Sequence, residues 1–175
     1  MDTQFPGLPQ INEERKLGFR PESVACFLHD RKLLFVSKRA YGVWLLPQET
    51  INNSEDPRDA LIRGMVNELG EDFVSKCNPD FIYLGEDKAE FGPKKQGLED
   101  LKTDEGAVVT MKGKKYYFYA IKTDFGDLDL TKTKFDDYVW LEQDPALFIA
   151  NRIQQPSKKV VTLKVLEMLK SRELI

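Results

Sequence analysis

The residues whose types and spacing could do chemistry lie in the segment 44–70, which reads WLLPQETINNSEDPRDALIRGMVNELG. Its second half predicts a helix, because Asp56 can serve as an N-cap, Pro57 suits the first helical position and Gly70 is a typical stop. One face of this helix is apolar, and the opposite face carries Arg63, Gly64, Asn67 and Glu68. Glu68 is the one acid on that face, and its oxygens are hard donors of the kind that Mg²⁺ prefers.

The elements around this helix are predicted from hydrophobic patterns and turn residues. Strands are expected at 23–28, 33–37, 81–85, 116–121 and 138–141, and further helices at 144–151 and 158–172. Residues 1–17 are interpreted as a flexible N-terminal arm, and 86–113, rich in charge and glycine, as an inserted mobile loop. The remainder, 18–175, is expected to be a single domain. This order of strands and helices favours an α/β (α+β) fold with helices packed on a mixed sheet.

Composition excludes several classes of function. The net charge is −3, so no global field draws nucleic acid toward the protein. The single histidine, His29, and two cysteines without metal spacing do not make a typical zinc site. The first ten residues lack a signal-peptide pattern, and no segment approaches the ~20 apolar residues of a membrane span. We therefore expect a cytoplasmic protein with no membrane partner.

The segment 44–70 resembles the Nudix box, whose pattern is G-x5-E-x7-R-E-U-x-E-E-x-G-U, where U is an aliphatic residue. Five positions match, namely Glu55, Arg63, Met65, Glu68 and Gly70. Three further fragments, 18–21, 44–48 and 135–140, look like parts of the RNA pyrophosphohydrolase and diadenosine polyphosphate hydrolase subfamily. The resemblance covers roughly residues 18–170 and implies the Nudix fold, a mixed β-sheet sandwiched between α-helices.

Departures from the box imply a degraded catalytic centre. In the family, three helix glutamates hold magnesium ions that neutralise the diphosphate and activate water. Two of these positions are Gly64 and Asn67 here, and the leading glycine of the box is Glu49. An acidic residue of the subfamily corresponds to Lys134, whose ammonium would occupy some of the positive charge that the metal supplied. Gly64 itself is explained as a lost carboxylate whose place no packing demand refilled.

The resemblance also assigns candidate site residues. The catalytic candidates are Glu68, Arg63 and Glu55, although Glu55 could instead brace the loop by pairing with Arg63. Glu68 is the only metal ligand expected, and a weak one, with Mg²⁺ or Mn²⁺ as the cofactor if the protein is active and none otherwise. Acids that could rescue a metal site are Glu49, Glu55, Asp104 and Glu105. The expected ligand contacts are Arg20, Lys38, Arg39, Gln48, Trp44 and Lys134, with Tyr41 and Trp44 able to stack on a base.

Three functions follow from these assignments, and the sequence leaves open whether the protein is an enzyme. The first is a Nudix hydrolase-like protein that binds a nucleotide, a nucleoside diphosphate derivative or an RNA 5′ end with weak or no hydrolysis. The second is an active Mg-dependent pyrophosphohydrolase of nucleoside diphosphate-linked substrates. The third is a non-catalytic subunit with a protein partner. The oligomeric state and the ligand itself are not fixed by the sequence.

Overall fold

A computed structural model describes residues 5–175, and most of its strands belong to one mixed sheet. The strands, in chain order, are β1 (Phe19–His29), β2 (Lys32–Lys38), β3 (Val43–Leu45), β4 (Gln48–Thr50), β5 (Ile82–Glu90), β6 (Asp100–Lys102), β7 (Val108–Thr110), β8 (Gly113–Lys122) and β9 (Asp137–Leu141). The helices are α1 (Leu8–Lys16), α2 (Pro57–Leu69), α3 (Glu71–Val74), α4 (Gln143–Arg152) and α5 (Pro156–Ser171). None of these helices is long and apolar enough to cross a membrane. The predicted α/β (α+β) class, with helices on a mixed sheet, is confirmed.

Strands β1 and β8 form the centre of the sheet. They run parallel over ten paired residues, from Phe19 opposite Gly113 to Leu28 opposite Lys122. Most of their side chains are buried because helices cover both faces of the sheet, which is the usual situation of parallel strands. Alternate residues enter two separate cores: Phe27 packs with α2 and α3, whereas Cys26 packs with α4 and α5.

Strand β4 connects this sheet to the predicted box helix. It pairs antiparallel with β1 and leads, through the loop 51–56, into α2. The helix begins as the sequence predicts, because the Asp56 carboxylate accepts a hydrogen bond from the Arg58 N–H at 2.8 Å. It ends at Gly70, whose φ of 87° suits a residue without a side chain. The loop, the strand and the helix therefore form one rigid connection.

The N-terminal stretch differs from the flexible arm that was predicted for 1–17. Residues 1–4 lie outside the described part of the chain, but 8–16 form α1, in which Ile11 and Arg15 are buried. The Arg15 guanidinium donates to the carbonyls of Ile51 and Asn52 and pairs with Asp104 at 3.1 Å. The sequence conceals this helix because a buried arginine, rather than an apolar stripe, attaches it to the domain.

The segment 86–113 also differs from the mobile loop that was predicted. Strand β5 continues to Glu90 alongside β8, and β6 and β7 form a separate hairpin. The charges that suggested a loop are compensated between neighbouring elements: Lys88 pairs with Glu14 at 2.7 Å, and Lys115 pairs with Glu86 at 2.9 Å. Part of the charge here therefore forms ion pairs along an edge strand, while residues 91–99 and 103–107 remain without helix or strand.

We predict that Arg15→Met lowers the free energy of unfolding by about 3 kcal/mol, because two loop carbonyls and the Asp104 carboxylate lose a buried charged donor. Urea denaturation of the purified variant measures this change. Lys16→Met on the same helix removes an exposed charge and should cost less than about 0.5 kcal/mol. Equal losses in the two variants would show that Arg15 does not anchor the loop.

Candidate functional site

A cavity of about 220 Å³ opens where the C-terminal half of α2 faces the first turns of α5. Its walls also include the ends of β2 and β4 and the segment before β9. Polar and apolar residues share the lining, which consists of Lys38, Tyr41, Leu45, Leu46, Gln48, Glu68, Phe135, Lys158, Val161 and Thr162. Four of the candidates from the sequence, Lys38, Tyr41, Gln48 and Glu68, are thus brought together in one place.

Glu68 is the single carboxylate that lines this cavity. It accepts a hydrogen bond from the Gln48 backbone N–H at 3.2 Å. Burial, assisted by the charge of the nearby Glu49, raises the pKa of Glu68 from an ordinary value of 4.5 to about 7, against the opposing effects of the Gln48 hydrogen bond and of Lys134 and Lys38. Near neutral pH this side chain therefore exchanges between a carboxylate and a neutral acid.

Lysine side chains supply the positive charge in and beside the cavity. The Lys38 Nζ lies 5.7 Å from the centroid of the Tyr41 ring, and the Lys158 Nζ lies 5.8 Å from the same centroid. Burial lowers the pKa of Lys158, and the charges of Lys114 and Lys95 lower it too. Within residues 5–175, Lys38 and Lys158 form no ion pair with a carboxylate. Their charges are available to an anionic ligand.

Arg63 and Glu55 hold the loop that precedes the helix and do not line the cavity. The Arg63 Nε donates to Glu55 at 2.7 Å, and another of its nitrogens donates to the Thr50 carbonyl at 2.8 Å. Glu55 also accepts from the Asn52 N–H at 2.8 Å, and the bond from Arg63 lowers the pKa of Glu55. This geometry supports the bracing role for the pair. A catalytic role stays a prediction, since neither side chain lines the cavity.

Gly64 has a packing reason, so the explanation by simple loss of a carboxylate is wrong. A Cβ at position 64 would lie 2.2 Å from the Glu49 Cβ and 2.6 Å from its Cγ. The Glu49 side chain thus packs so closely on α2 that no Cβ fits at position 64 while glutamate occupies position 49. The two departures from the box are linked: the side chain of Glu49 fills the space that a residue at 64 would take.

The other candidates lie around the cavity rather than in it. Arg20 pairs with the buried Glu22 at 2.9 Å, and the backbone N–H of Arg39 donates to Asp136. Lys134 is exposed, and its backbone N–H donates to the Glu68 carbonyl at 2.9 Å. Trp44 lines a neighbouring groove.

The acids of the hairpin lie elsewhere in the structure. Asp104 accepts from Arg15, and Glu105 accepts from Asn12 at 2.9 Å. Both carboxylates are thus engaged on the α1 side of the domain, and neither lines the cavity. They are not placed to rescue a metal site beside Glu68.

Sequence reasoning missed the contribution of α5 to the cavity. Lys158, Val161 and Thr162 come from its first two turns. The apolar stripe of this helix indicated core packing, which is correct for Val165 and Leu169 but conceals that the N-terminal end reaches the site. No local signal distinguishes the two ends, because the cavity forms only when α5 meets β2 and α2.

Comparisons with known proteins identify the fold. No family model matches the chain. The structure of the E. coli dihydroneopterin triphosphate pyrophosphohydrolase superposes with a TM-score of 0.58 at 12% identity, covering 85% of this chain and 97% of that one. The NUDIX domain of Shewanella oneidensis NrtR, complexed with ADP ribose, gives 0.56 at 13% identity over 88% of each chain. A C. elegans Ap4A hydrolase binary complex gives 0.51 at 13% identity, covering 86% of this chain and 98% of that one.

The chain has the Nudix fold. A sequence match adds local support, since Nudix hydrolase 25 of Arabidopsis thaliana is 36% identical over 55 residues. That match spans 30% of this chain and 31% of the plant protein. The likeness therefore establishes the architecture, and activity and substrate are matters for proposal.

The described residues do not fit the magnesium centre that the Nudix fold implies. Residues 5–175 contain no group of three or more His, Cys, Asp or Glu side chains that could hold a metal ion. At the cavity Glu68 has Glu49 as its acidic neighbour, while the charges of Lys134 and Lys38 also act on it. Ammonium groups cannot coordinate a cation, and a hard divalent ion needs several oxygen ligands. The donor set suits an anion better than a cation.

We predict that Gly64→Ala lowers the free energy of unfolding by about 2 kcal/mol, because the new methyl group collides with Glu49. In a Glu49→Gly background the same change should raise it by about 1 kcal/mol, the usual helix preference for alanine. Chemical denaturation of the four proteins closes a double-mutant cycle with a coupling of about 3 kcal/mol. Additive effects would contradict the close approach.

The raised pKa of Glu68 predicts a pH-dependent stability. Between pH 4.5, its ordinary pKa, and about 7, the folded protein holds more protons than the unfolded chain, so stability from this group falls as pH rises. Glu68→Gln keeps the shape and abolishes the titration. We expect the variant to gain stability relative to the parent by roughly 3 kcal/mol across this window, measured by urea unfolding at pH 5 and pH 8. Parallel curves for the two proteins would refute a buried, titrating Glu68.

Proposed function

We propose that this Nudix-fold protein binds a nucleotide or nucleoside diphosphate derivative in the cavity, with weak or no hydrolysis and without a metal requirement. One observation carries the proposal: two lysines that pair with no carboxylate of residues 5–175, Lys38 and Lys158, share a cavity with Glu68, the one acid in its described lining. Such a charge distribution favours a ligand that brings its own negative charge.

The protonation of Glu68 supports this choice of ligand. A fully ionised carboxylate would repel a phosphate group, whereas an acid with a pKa of about 7 is protonated in a large fraction near neutrality. In that form it can donate a hydrogen bond to a phosphate oxygen. Lys38 and Lys158 then neutralise the ligand charge, and the exposed Lys134 beside α2 adds to the local positive potential.

The missing carboxylates support weak or absent hydrolysis. Cleavage of a phosphoanhydride requires stabilisation of the charge that develops on the transferred group, together with an oriented water molecule. Positions 64 and 67, where the resembling family has carboxylates, are glycine and asparagine. Arg63 and Glu55 are engaged with each other outside the cavity. Among the described residues, Glu68 is the only carboxylate that lines the cavity and could act as a base there.

The structural neighbours support the class of ligand at the level of the fold. The Shewanella NUDIX domain is complexed with ADP ribose, and the C. elegans protein is an Ap4A hydrolase. Both names refer to nucleotides in which phosphates link two groups. We therefore extend the same class of ligand to this chain as part of the proposal.

Calorimetric titration tests the proposal with ADP, ADP-ribose, a dinucleoside polyphosphate and 5′-triphosphorylated RNA, each in EDTA and in Mg²⁺. We expect binding of at least one nucleotide in EDTA. Lys38→Met or Lys158→Met should weaken it roughly ten- to a hundredfold, the value of a hydrogen bond to a charged group. Lys159→Met is the matched control, because Lys159 bonds to the Asn151 carbonyl outside the cavity. Binding that disappears in EDTA, or is equally sensitive to Lys159→Met, would exclude the proposed site.

The relocated acid at position 49 favours a second candidate, an active hydrolase. The Glu49 side chain fills the space beside Gly64, and its charge acts on Glu68. Two carboxylates therefore lie near one another, one on β4 and one on α2. Chromatographic assay of nucleotide hydrolysis in Mg²⁺ and Mn²⁺ separates the candidates. Turnover that Glu68→Gln and Glu49→Gln both abolish would establish the hydrolase and overturn non-hydrolytic binding.

A further inference from the structure

A second groove lies beside the cavity, on the other side of Tyr41. It has a volume of about 490 Å³ and runs between β3 and α4. Aromatic and aliphatic side chains form most of its walls, with two glutamines at one end. Its lining comprises Tyr41, Gly42, Val43, Trp44, Phe148, Ile149, Arg152, Ile153, Gln154 and Gln155.

The groove exposes aromatic surface that the fold does not use. Phe148 is 57% exposed and Tyr41 is 60% exposed, unusual values for large apolar side chains. The Arg152 guanidinium carbon lies 3.8 Å from the centroid of the Phe148 ring. The two residues lie one helical turn apart on α4, so this cation–π contact places a flat aromatic and cationic surface along the groove.

Tyr41 connects the groove to the cavity. It ends the short 3-10 turn 39–41, and Gly42 after it has a φ of 58°. Both cavity lysines, Lys38 and Lys158, place their ammonium groups within 5.8 Å of the Tyr41 ring centroid. A ligand held by these lysines would therefore lie against Tyr41, and any group extending past the ring would enter the groove.

We propose that the groove is a subsite for the nucleobase of the ligand whose phosphates occupy the cavity, with Phe148, Trp44 and Arg152 as the residues on which the base stacks. This inference rests on the proposed function and adds the part of the ligand that the lysines do not contact. Bases stack well on aromatic rings and on guanidinium planes, with little dependence on sequence. Gln154 and Gln155 carry donors and acceptors suited to the polar edge of a base.

Charge and continuity favour a base over an apolar peptide as the occupant. The groove shares Tyr41 with the cavity that holds Lys38 and Lys158, and Arg152 adds a third positive charge along its wall. A peptide held by apolar contacts would gain nothing from this run of positive charge. A nucleotide has both features: its planar base would fit the groove, and its linked phosphates would fit the cavity beside it.

Affinity measurements with a graded set of ligands test the subsite. Inorganic pyrophosphate probes the cavity alone, ADP probes both compartments, and adenosine probes the groove alone. We expect ADP to bind at least tenfold more tightly than pyrophosphate, and Phe148→Ala to remove roughly tenfold from ADP affinity while leaving pyrophosphate unchanged. Phe125→Ala is the control, because Phe125 is 52% exposed outside the groove.

Trp44 offers a direct optical readout. The protein has two tryptophans, and Trp140 is bonded to the Gly126 carbonyl beside His29, away from the groove. In a Trp140→Phe background, ADP and adenosine should quench or shift the emission of Trp44, whereas pyrophosphate should not.

The outcomes separate this inference from the function on which it rests. If pyrophosphate binds as tightly as ADP, and Phe148→Ala affects neither, the lysine site stands and the base subsite is overturned. If neither pyrophosphate nor ADP binds, the proposed function fails and the subsite fails with it. Weakened ADP binding in Phe148→Ala alone, with a Trp44 signal, establishes the subsite.

Discussion

The Glu49 side chain on strand β4 lies so close to helix α2 that position 64 accepts only a hydrogen atom, and the arrangement of the site depends on this contact. A Cβ there would be 2.2 Å from the Glu49 Cβ. Because Glu49 projects from the strand toward the helix, the helix can present Glu68 alone at this level. The brace between Arg63 and Glu55 holds the connecting loop, and Arg15 holds the same loop from the other side through two carbonyls. The spacing between strand and helix is therefore fixed at several points.

Placing one acid among several lysines changes what the site can bind. An isolated buried carboxylate is costly to ionise, so its pKa rises and the group becomes partly neutral near pH 7. Lys38 and Lys158 then dominate the field in the cavity, and burial in turn lowers the pKa of Lys158. A bound phosphate would relieve both penalties at once, because it supplies the negative charge that would pair with the lysines and accepts a hydrogen bond from protonated Glu68. A divalent cation would instead be repelled by the positive charges of the two lysines.

Much of the fold could be predicted from local patterns, whereas much of the site could not. Helix α2 has its N-cap at Asp56 and its stop at Gly70 in the sequence, and β8 is a run of β-prone residues from Tyr116 to Ile121. Local patterns failed where a tertiary contact replaces an apolar stripe, as for α1, which a buried Arg15 attaches to the domain. They failed again for Lys158, which reaches the cavity only because α5 packs beside β2. The helix sequence alone does not explain Gly64, because the contact that requires it comes from Glu49, fifteen positions earlier in the chain.

Tyr41 shows how a short turn can divide one surface into two chemical environments. Its ring stands between ammonium groups on one side and the aromatic and aliphatic wall of α4 on the other. The left-handed conformation at Gly42 lets the chain reverse directly after this residue, so the ring projects outward instead of packing beneath the sheet. A ligand gains binding free energy in both environments only if its charged part and its planar part are separated by about the width of that ring. In the proposed complex, contact with the Tyr41 ring would therefore add to the attraction of the two lysines.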